Sequence, residues 1–423
     1  MLCLARISAC LVLVAAAEGA AADDVRPTDA SRSASTVEHP PSAAEQRQLD
    51  YAARDLDARL QRSGSLYAHP DVDAYLQTIA DKLLSTDRAY EGAKANVRVV
   101  RGTSANAFAL PNGAVYVSTG LLERLDNEAQ IACVLGHELT HFTHQHTLKQ
   151  QQSMARTTVW TRGLQLAFLI AIGAKFKDQQ ARDLGAQVTR FAGDLWLLTA
   201  VSGYSRDLER EADREGLRRM VEAGYDANEA VRVFEVLSAA ADEQGDHVPT
   251  YFSSHPRLQD RLASYRALVS GEYANATGER RFTGAQEYRA HTSGLRLDQV
   301  EILIAAHELQ SAAKLLDAEM AVSGSARAYF LQGELARHRS STPESQRLAL
   351  AAYEHAAASP DVPAEALRQE ALLYRARGEH QAAVQAFKRY LMLAPGAIDA
   401  PLVHEYLEQQ GADAPSSPQG DSQ

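Results

Sequence analysis

The chain has 423 residues, 45% hydrophobic and 23% charged, a balance ordinary for a globular protein with room for two or three cores. Lys and Arg number 43 against 54 Asp and Glu, giving a formal net charge of -11. That acidic balance, with no basic patch in the sequence, argues against nucleic acid as a partner.

The first residues, MLCLARISACLVLVAAAEGAAADD, place Arg6 before an apolar run from Ile7 to Ala17 and small residues after it. Ala20 and Ala22 fit an A-x-A cleavage pattern, so residues 1–22 read as an export signal, too short to span a bilayer. Its removal takes away Cys3 and Cys10 and leaves Cys133 alone, which excludes an internal disulfide and any Cys-based metal site. Residues 23–44, rich in Ser, Ala, Pro and Asp, read as a flexible linker.

A helical pattern runs from about Glu45 to Gln61, and a second from Val72 to Leu84 with Tyr75, Ile79 and Leu83 at helical spacing. NVRVV at 96–100 alternates as a strand does. NAFALPNGAVYVSTGLL adds a strand pair turned at Pro111-Asn112-Gly113. One helix is expected from about Asn127 to Gln150. The apolar stretch LQLAFLIAIGA, 164–174, has 11 residues, enough for a buried or interfacial helix and at most peripheral membrane contact. A further helix covers about 190–223, and another carries an apolar stripe over 228–237. Past residue 290 the chain is helical and Ala-rich. Pro360 and Pro395 close two similar segments 35 residues apart, near the tetratricopeptide period of about 34, and Arg377-Gly378 sits where such repeats turn. The tail from Gly411 (411–423) reads as disordered.

The chemistry lies in GHELTH, 136–141. His137 and His141 are four apart, so both imidazoles leave one side of a helix and can reach one metal ion. Glu138 is turned about 100° away, placed to act as a base and not as a ligand. A catalytic zinc needs a third protein ligand. EREAD, 209–213, offers Glu209 or, about 200° around its helix, Glu211. Asp213 shares the Glu209 face and can hydrogen-bond a ligand histidine from behind. Cys133, one turn before His137, reads as a small hydrophobe.

H-E-x-x-H followed by S-R-x-x-E-x-E-A-D-x-x-G resembles the HtpX and CAAX prenyl protease family of gluzincin-type zinc metallopeptidases. FSSHPRLQDRL, 252–262, resembles that family's later H-P-x-x-x-x-R element. The resemblance covers about residues 70–265. It implies one Zn2+ per chain, selects Glu209 as third ligand, and makes NAFALPNGAVYVSTGLL the strand region that aligns substrate, with Asn106, Ala107 and Phe108 the contact residues. It places His255 near the metal, either filling the open zinc position or stabilising an oxyanion; Arg261 is expected to make a structural ion pair. An export signal, the lack of membrane spans and C-terminal repeats are most similar to the family's BepA-type periplasmic branch.

The expected architecture is therefore α+β, mostly α: a zincin-like peptidase domain at 45–275 with a small sheet, then an all-α tetratricopeptide-like domain at 290–410. The implied function is periplasmic zinc endopeptidase in envelope protein quality control. Its substrates would be misfolded or stalled outer-membrane proteins, and the repeats would contact the assembly machinery. The competing expectation is a chaperone or assembly factor whose zinc site is normally closed by His255.

Overall fold

A computed structural model describes residues 43–86, 94–155, 204–243, 258–278 and 281–412. The export signal, nearly all of the linker, the 164–174 stretch, His255 and the end of the tail lie outside the described residues. The fold is mostly helical with one small sheet. No helix among the described residues is long and apolar enough to cross a membrane.

Helices α1 (Ala43–Arg62) and α2 (Pro70–Leu84) precede the sheet. Asp71 and Asp73 in the first turn of α2 and Pro70 at its start suit a helix N-terminus, while Leu76, Ile79, Ala80 and Leu83 form its buried face. The sheet has the order β1 (Asn96–Val100), β3 (Ala114–Ser118), β2 (Ala107–Ala109). β1 runs parallel to β3, and β2 pairs antiparallel to β3, with Phe108 opposite Tyr116. The β2–β3 turn depends on Gly113, whose φ of 87° is left-handed and whose missing side chain leaves room for the Lys94 carbonyl. Among the described residues β2 has β3 on one side only, so it forms the edge of the sheet.

Two further helices frame the site: α4 (Glu128–Thr143), reached through the short α3 (Thr119–Leu122), and α6 (Arg206–Glu222). α4 is capped by the Asn127 side chain, which accepts from Gln130 N–H, and is buried continuously from Glu128 to His141. Its apolar side contributes Ile131, Ala132, Val134, Leu135 and Leu139 to the main core. The Glu128 carboxylate, buried in that core, is held by the hydroxyls of Tyr75 (2.8 Å) and Tyr225 (2.6 Å).

One helix differs from expectation. The 127–150 helix is broken: α4 ends at Thr143, Gln145 takes a left-handed φ of 55°, and α5 (His146–Ala155) starts afresh. Helical periodicity is blind to a single left-handed residue, because polar His144 and Gln145 suit a helix surface as well as its end. Of the expected 190–223 helix, residues 190–203 lie outside the described residues; a helix starts at Arg206, where Ser205 in extended conformation accepts from Leu208 N–H and caps it.

α7 (Asn228–Glu243) and α8 (Leu258–Ser270) complete the packing around α4 and α6. A short α9 (Ala285–Thr292) leads into successive helix pairs joined by short turns: α10 (Leu295–Ala305) with α11 (Leu309–Val322), α12 (Ala326–Arg339) with α13 (Pro343–Ala357), and α14 (Ala364–Ala376) with α15 (His380–Leu393), followed by α16 (Ala400–Ala412). The turn at Arg377-Gly378 is present, with Gly378 at φ 76°. Gly333 of α12 gives its missing side-chain volume to the Tyr353 ring, where a Cβ would lie 2.3 Å away. Tyr288 and Arg296 donate to the carbonyls of Leu122 and Glu123, tying this array to the sheet-bearing part.

Candidate metal centre and substrate edge

The approach of α4 and α6 builds the site. It is set by two glycines: a Cβ on Gly136 would lie 2.8 Å from the Gly216 carbonyl, and one on Gly216 would lie 2.7 Å from His137 N. Buried Arg219 pins the same pair by donating to the hydroxyls of Thr140 (3.2 Å) and Thr143 (2.9 Å). Two helices packed backbone to backbone bring Glu209 against the histidine face of α4.

His137 and His141 turn their Nε2 atoms toward each other at 2.9 Å, with Glu209 Oε2 3.6 Å from the first and Glu209 Oε1 3.6 Å from the second. All three residues are buried. Behind them, His137 Nδ1 donates to Asp213 Oδ1 at 2.9 Å. Asp213 also takes two bonds from Arg261, from Nη2 at 2.6 Å and from Nε at 3.0 Å, and a 3.2 Å bond from the Tyr265 hydroxyl. Burial alone would raise the Asp213 carboxyl, but the Arg261 guanidinium and His137 hold it well below the usual carboxylate range. Burial, reinforced by Arg261, lowers the His137 pKa, keeping the ring neutral. A neutral His137 that donates from Nδ1 carries its lone pair on Nε2, aimed at His141 and Glu209.

The donor chemistry fits a divalent ion. Two imidazole lone pairs and a carboxylate converge in a buried site, an arrangement that repels itself unless a cation or a shared proton lies between. The His2Glu set, with its ligand atoms within 4.8 Å of one another, is the three-ligand set of catalytic zinc sites. Glu211 faces away from it. Its carboxylate meets His144 Nδ1 at 2.5 Å and His146 Nε2 at 3.4 Å, so the structure puts the two glutamates of EREAD in different clusters.

Glu138 is buried beside the histidines and accepts a 3.1 Å bond from the backbone N–H of Ala109. That bond locates Glu138 at the sheet edge and marks Ala109 as a residue of β2 that faces outward. Asn106 turns inward: its carbonyl accepts from Ser118 N–H and its own N–H donates to Ser118 Oγ, both at 2.9 Å. Leu110 N–H likewise bonds Ala114, and Phe108 sits between them, opposite Tyr116. Alternation therefore points the backbone groups of Ala107 and Ala109 outward. Of Asn106, Ala107 and Phe108, only Ala107 has its main-chain groups on the side of β2 away from β3, and Ala109 joins it. The motif locates the strand, but only its pairing with β3 sets which alternate residues face out.

Two aromatic neighbours complete the surroundings of His141: Tyr204, which carries no sequence signal of its own, and His146, which follows the motif. Tyr204 stacks on His141 with centroids 3.9 Å apart, and its hydroxyl shares a 3.0 Å hydrogen bond with the Thr147 hydroxyl. His146, brought back by the turn at Gln145, places Nδ1 2.9 Å from His141 Nδ1. Burial pushes the Cys133 thiol up to about 12, so it is a neutral core group.

Residues 70–269 match the model of Peptidase family M48. The chain carries an M48 peptidase domain. It is 28% identical over 194 residues to mitochondrial metalloendopeptidase OMA1 of Schizosaccharomyces pombe, covering 46% of this chain and 52% of that protein. It is 30% identical over 171 residues to a putative beta-barrel assembly-enhancing protease of Vibrio cholerae, covering 40% of this chain and 33% of that protein. With the beta-barrel assembly-enhancing protease of Escherichia coli it shares 25% identity over 219 residues, 51% of this chain and 42% of the other. The chain thus spans about a third to a half of the length of the curated relatives it matches.

Proposed function

We propose that this protein is a zinc-dependent endopeptidase acting in quality control of envelope proteins, with misfolded or stalled outer-membrane proteins as its substrates. The observation that carries the reading is the convergence of His137 Nε2, His141 Nε2 and Glu209 on one point, beside a base hydrogen-bonded to a sheet edge. His137, His141 and Glu209 would hold the ion, which supplies Lewis acidity to the scissile carbonyl when bound. An extended substrate would add to β2 as a further strand through the outward groups of Ala107 and Ala109, giving grip without demanding a sequence. Substrate pairing competes for the Ala109 N–H that Glu138 holds, so docking and release of the base are coupled. Glu138 then takes the proton of the attacking water and passes it to the leaving amine.

The export signal supports a periplasmic location, as does the likeness to beta-barrel assembly-enhancing proteases; the C-terminal helix pairs, read as tetratricopeptide-like, would recruit substrate or assembly partners. The test is Glu138→Gln. It keeps the ligand set and should bind zinc as the parent does while losing cleavage of an unfolded protein such as casein. Cleavage retained by that variant overturns the reading.

A further inference from the structure

A second cluster of the same donor types lies directly behind the first. His144, His146 and Glu211 each bring a ligand atom to within 4.8 Å of the others. His146 Nε2 is 3.4 Å from Glu211 Oε2. Bonds of about 2.0–2.2 Å put tetrahedral zinc donors about 3.3–3.5 Å apart, so this pair already has the spacing. His146 is fully buried, and its Nε2 has no hydrogen-bond partner within the described residues while aiming at Glu211. His144 and Glu211 are partly exposed, which opens the cluster to ions from solvent. Lys149 Nζ sits 3.8 Å from Glu211 Oε1, a charge that a bound cation would displace.

We propose that His144, His146 and Glu211 form a second, weaker site for a zinc-class divalent ion, antagonistic to the first. The antagonism comes from the 2.9 Å contact between His141 Nδ1 and His146 Nδ1. Between two neutral rings, only one of these nitrogens can carry the proton. With the proton on His141, its Nε2 lone pair serves the first site, and the remaining proton of His146 sits on Nε2, facing Glu211. With the proton on His146 Nδ1, its Nε2 lone pair serves the second site, and His141 Nε2 is protonated and lost as a ligand. A filled second site therefore disfavours the tautomer that the first site needs. Coupling between two sites is reciprocal, so each ion weakens the other. The antagonism rests on the zinc reading of the first site; the second site itself does not.

The experiment measures Zn2+ bound per chain by equilibrium dialysis, alongside cleavage of casein, for the parent, His144→Ala, Glu211→Gln and His141→Ala. The parent should bind one ion tightly and a second at molar excess, losing cleavage as the second ion binds. His144→Ala and Glu211→Gln should keep the first ion and their activity at that excess. His141→Ala, freed of the proton competition, should bind an ion at the second site more tightly than the parent does, and adding Glu211→Gln in that background should abolish it. The proposal is overturned if the parent takes up no second ion, or if His144→Ala and Glu211→Gln lose activity at the same zinc concentration. It is also overturned if the ion held by His141→Ala persists without Glu211. Binding by His141→Ala as expected, with a parent that holds no tight ion or cleaves nothing, would fault the peptidase reading and leave the second site standing.

Discussion

Gly216→Ala tests the claim that helix approach, and not the ligands alone, builds the metal centre. The added Cβ would lie 2.7 Å from His137 N, 2.9 Å from Gly136 C and 3.0 Å from His137 Cα. These are backbone atoms of α4, so no flexible side chain can swing aside. Restoring contact to an acceptable 3.0–3.4 Å moves α6 back by about 0.3–0.7 Å. α6 carries Glu209 two turns earlier on the same rigid rod, whereas metal–ligand distances tolerate only about 0.2 Å. Zinc affinity should therefore fall about 10- to 100-fold, the scale seen when a ligand's support is lost. Overpacking costs about 1–3 kcal/mol and the better helix propensity of Ala returns up to about 1, a net loss of about 1–2 kcal/mol and a few degrees in Tm. Chelator competition reads the affinity, and melts in excess chelator read stability without metal. Gly294→Ala is the control, because a Cβ there meets nothing within 4 Å. Parent-like zinc affinity with an unchanged or raised Tm for Gly216→Ala would refute the reasoning.

Asp213→Asn removes the charge that orients His137 and neutralises buried Arg261; zinc affinity should drop about 10- to 100-fold and stability by about 3 kcal/mol, read by chelator competition and urea melts. Ala109→Pro deletes an N–H that faces Glu138 and not β3, so the fold should survive while kcat/KM on an extended peptide falls mainly through KM; unchanged kinetics would count against β2 as the substrate edge. Glu370, with one buried carboxylate oxygen unpaired among the described residues, is pushed up to about 7, chiefly by burial. Since its folded pKa exceeds the unfolded value of about 4.5, its neutral form favours folding, and this contribution is lost as pH rises from about 4.5 to 7. The loss is at most about 3 kcal/mol, and nearer 1–2 once partial access of water is counted. Glu370→Gln should raise Tm at pH 8 and leave it unchanged at pH 5; an equal gain at both would assign the effect to packing.

Local information in the chain determined much of this protein. Two histidines at i and i+4 must share a helix face, and Glu209 and Asp213 repeat that relation on another helix, so the histidine pair was legible from spacing, while the choice of Glu209 over Glu211 came from the family resemblance. The strand alternation of 96–100 and the turn at 111–113 were legible for the same reason: each is a periodicity or a backbone preference of a few residues. Tertiary structure alone decided the rest. That Gly136 meets Gly216, that Asn106 faces inward and Ala109 outward, and that one left-handed residue at Gln145 folds His146 back onto His141 all depend on what lies across a contact. Spacing orders residues along one element. Which element lies opposite is settled by packing, where the 2.9 Å between His141 and His146 spans a break that periodicity alone would have drawn as continuous helix.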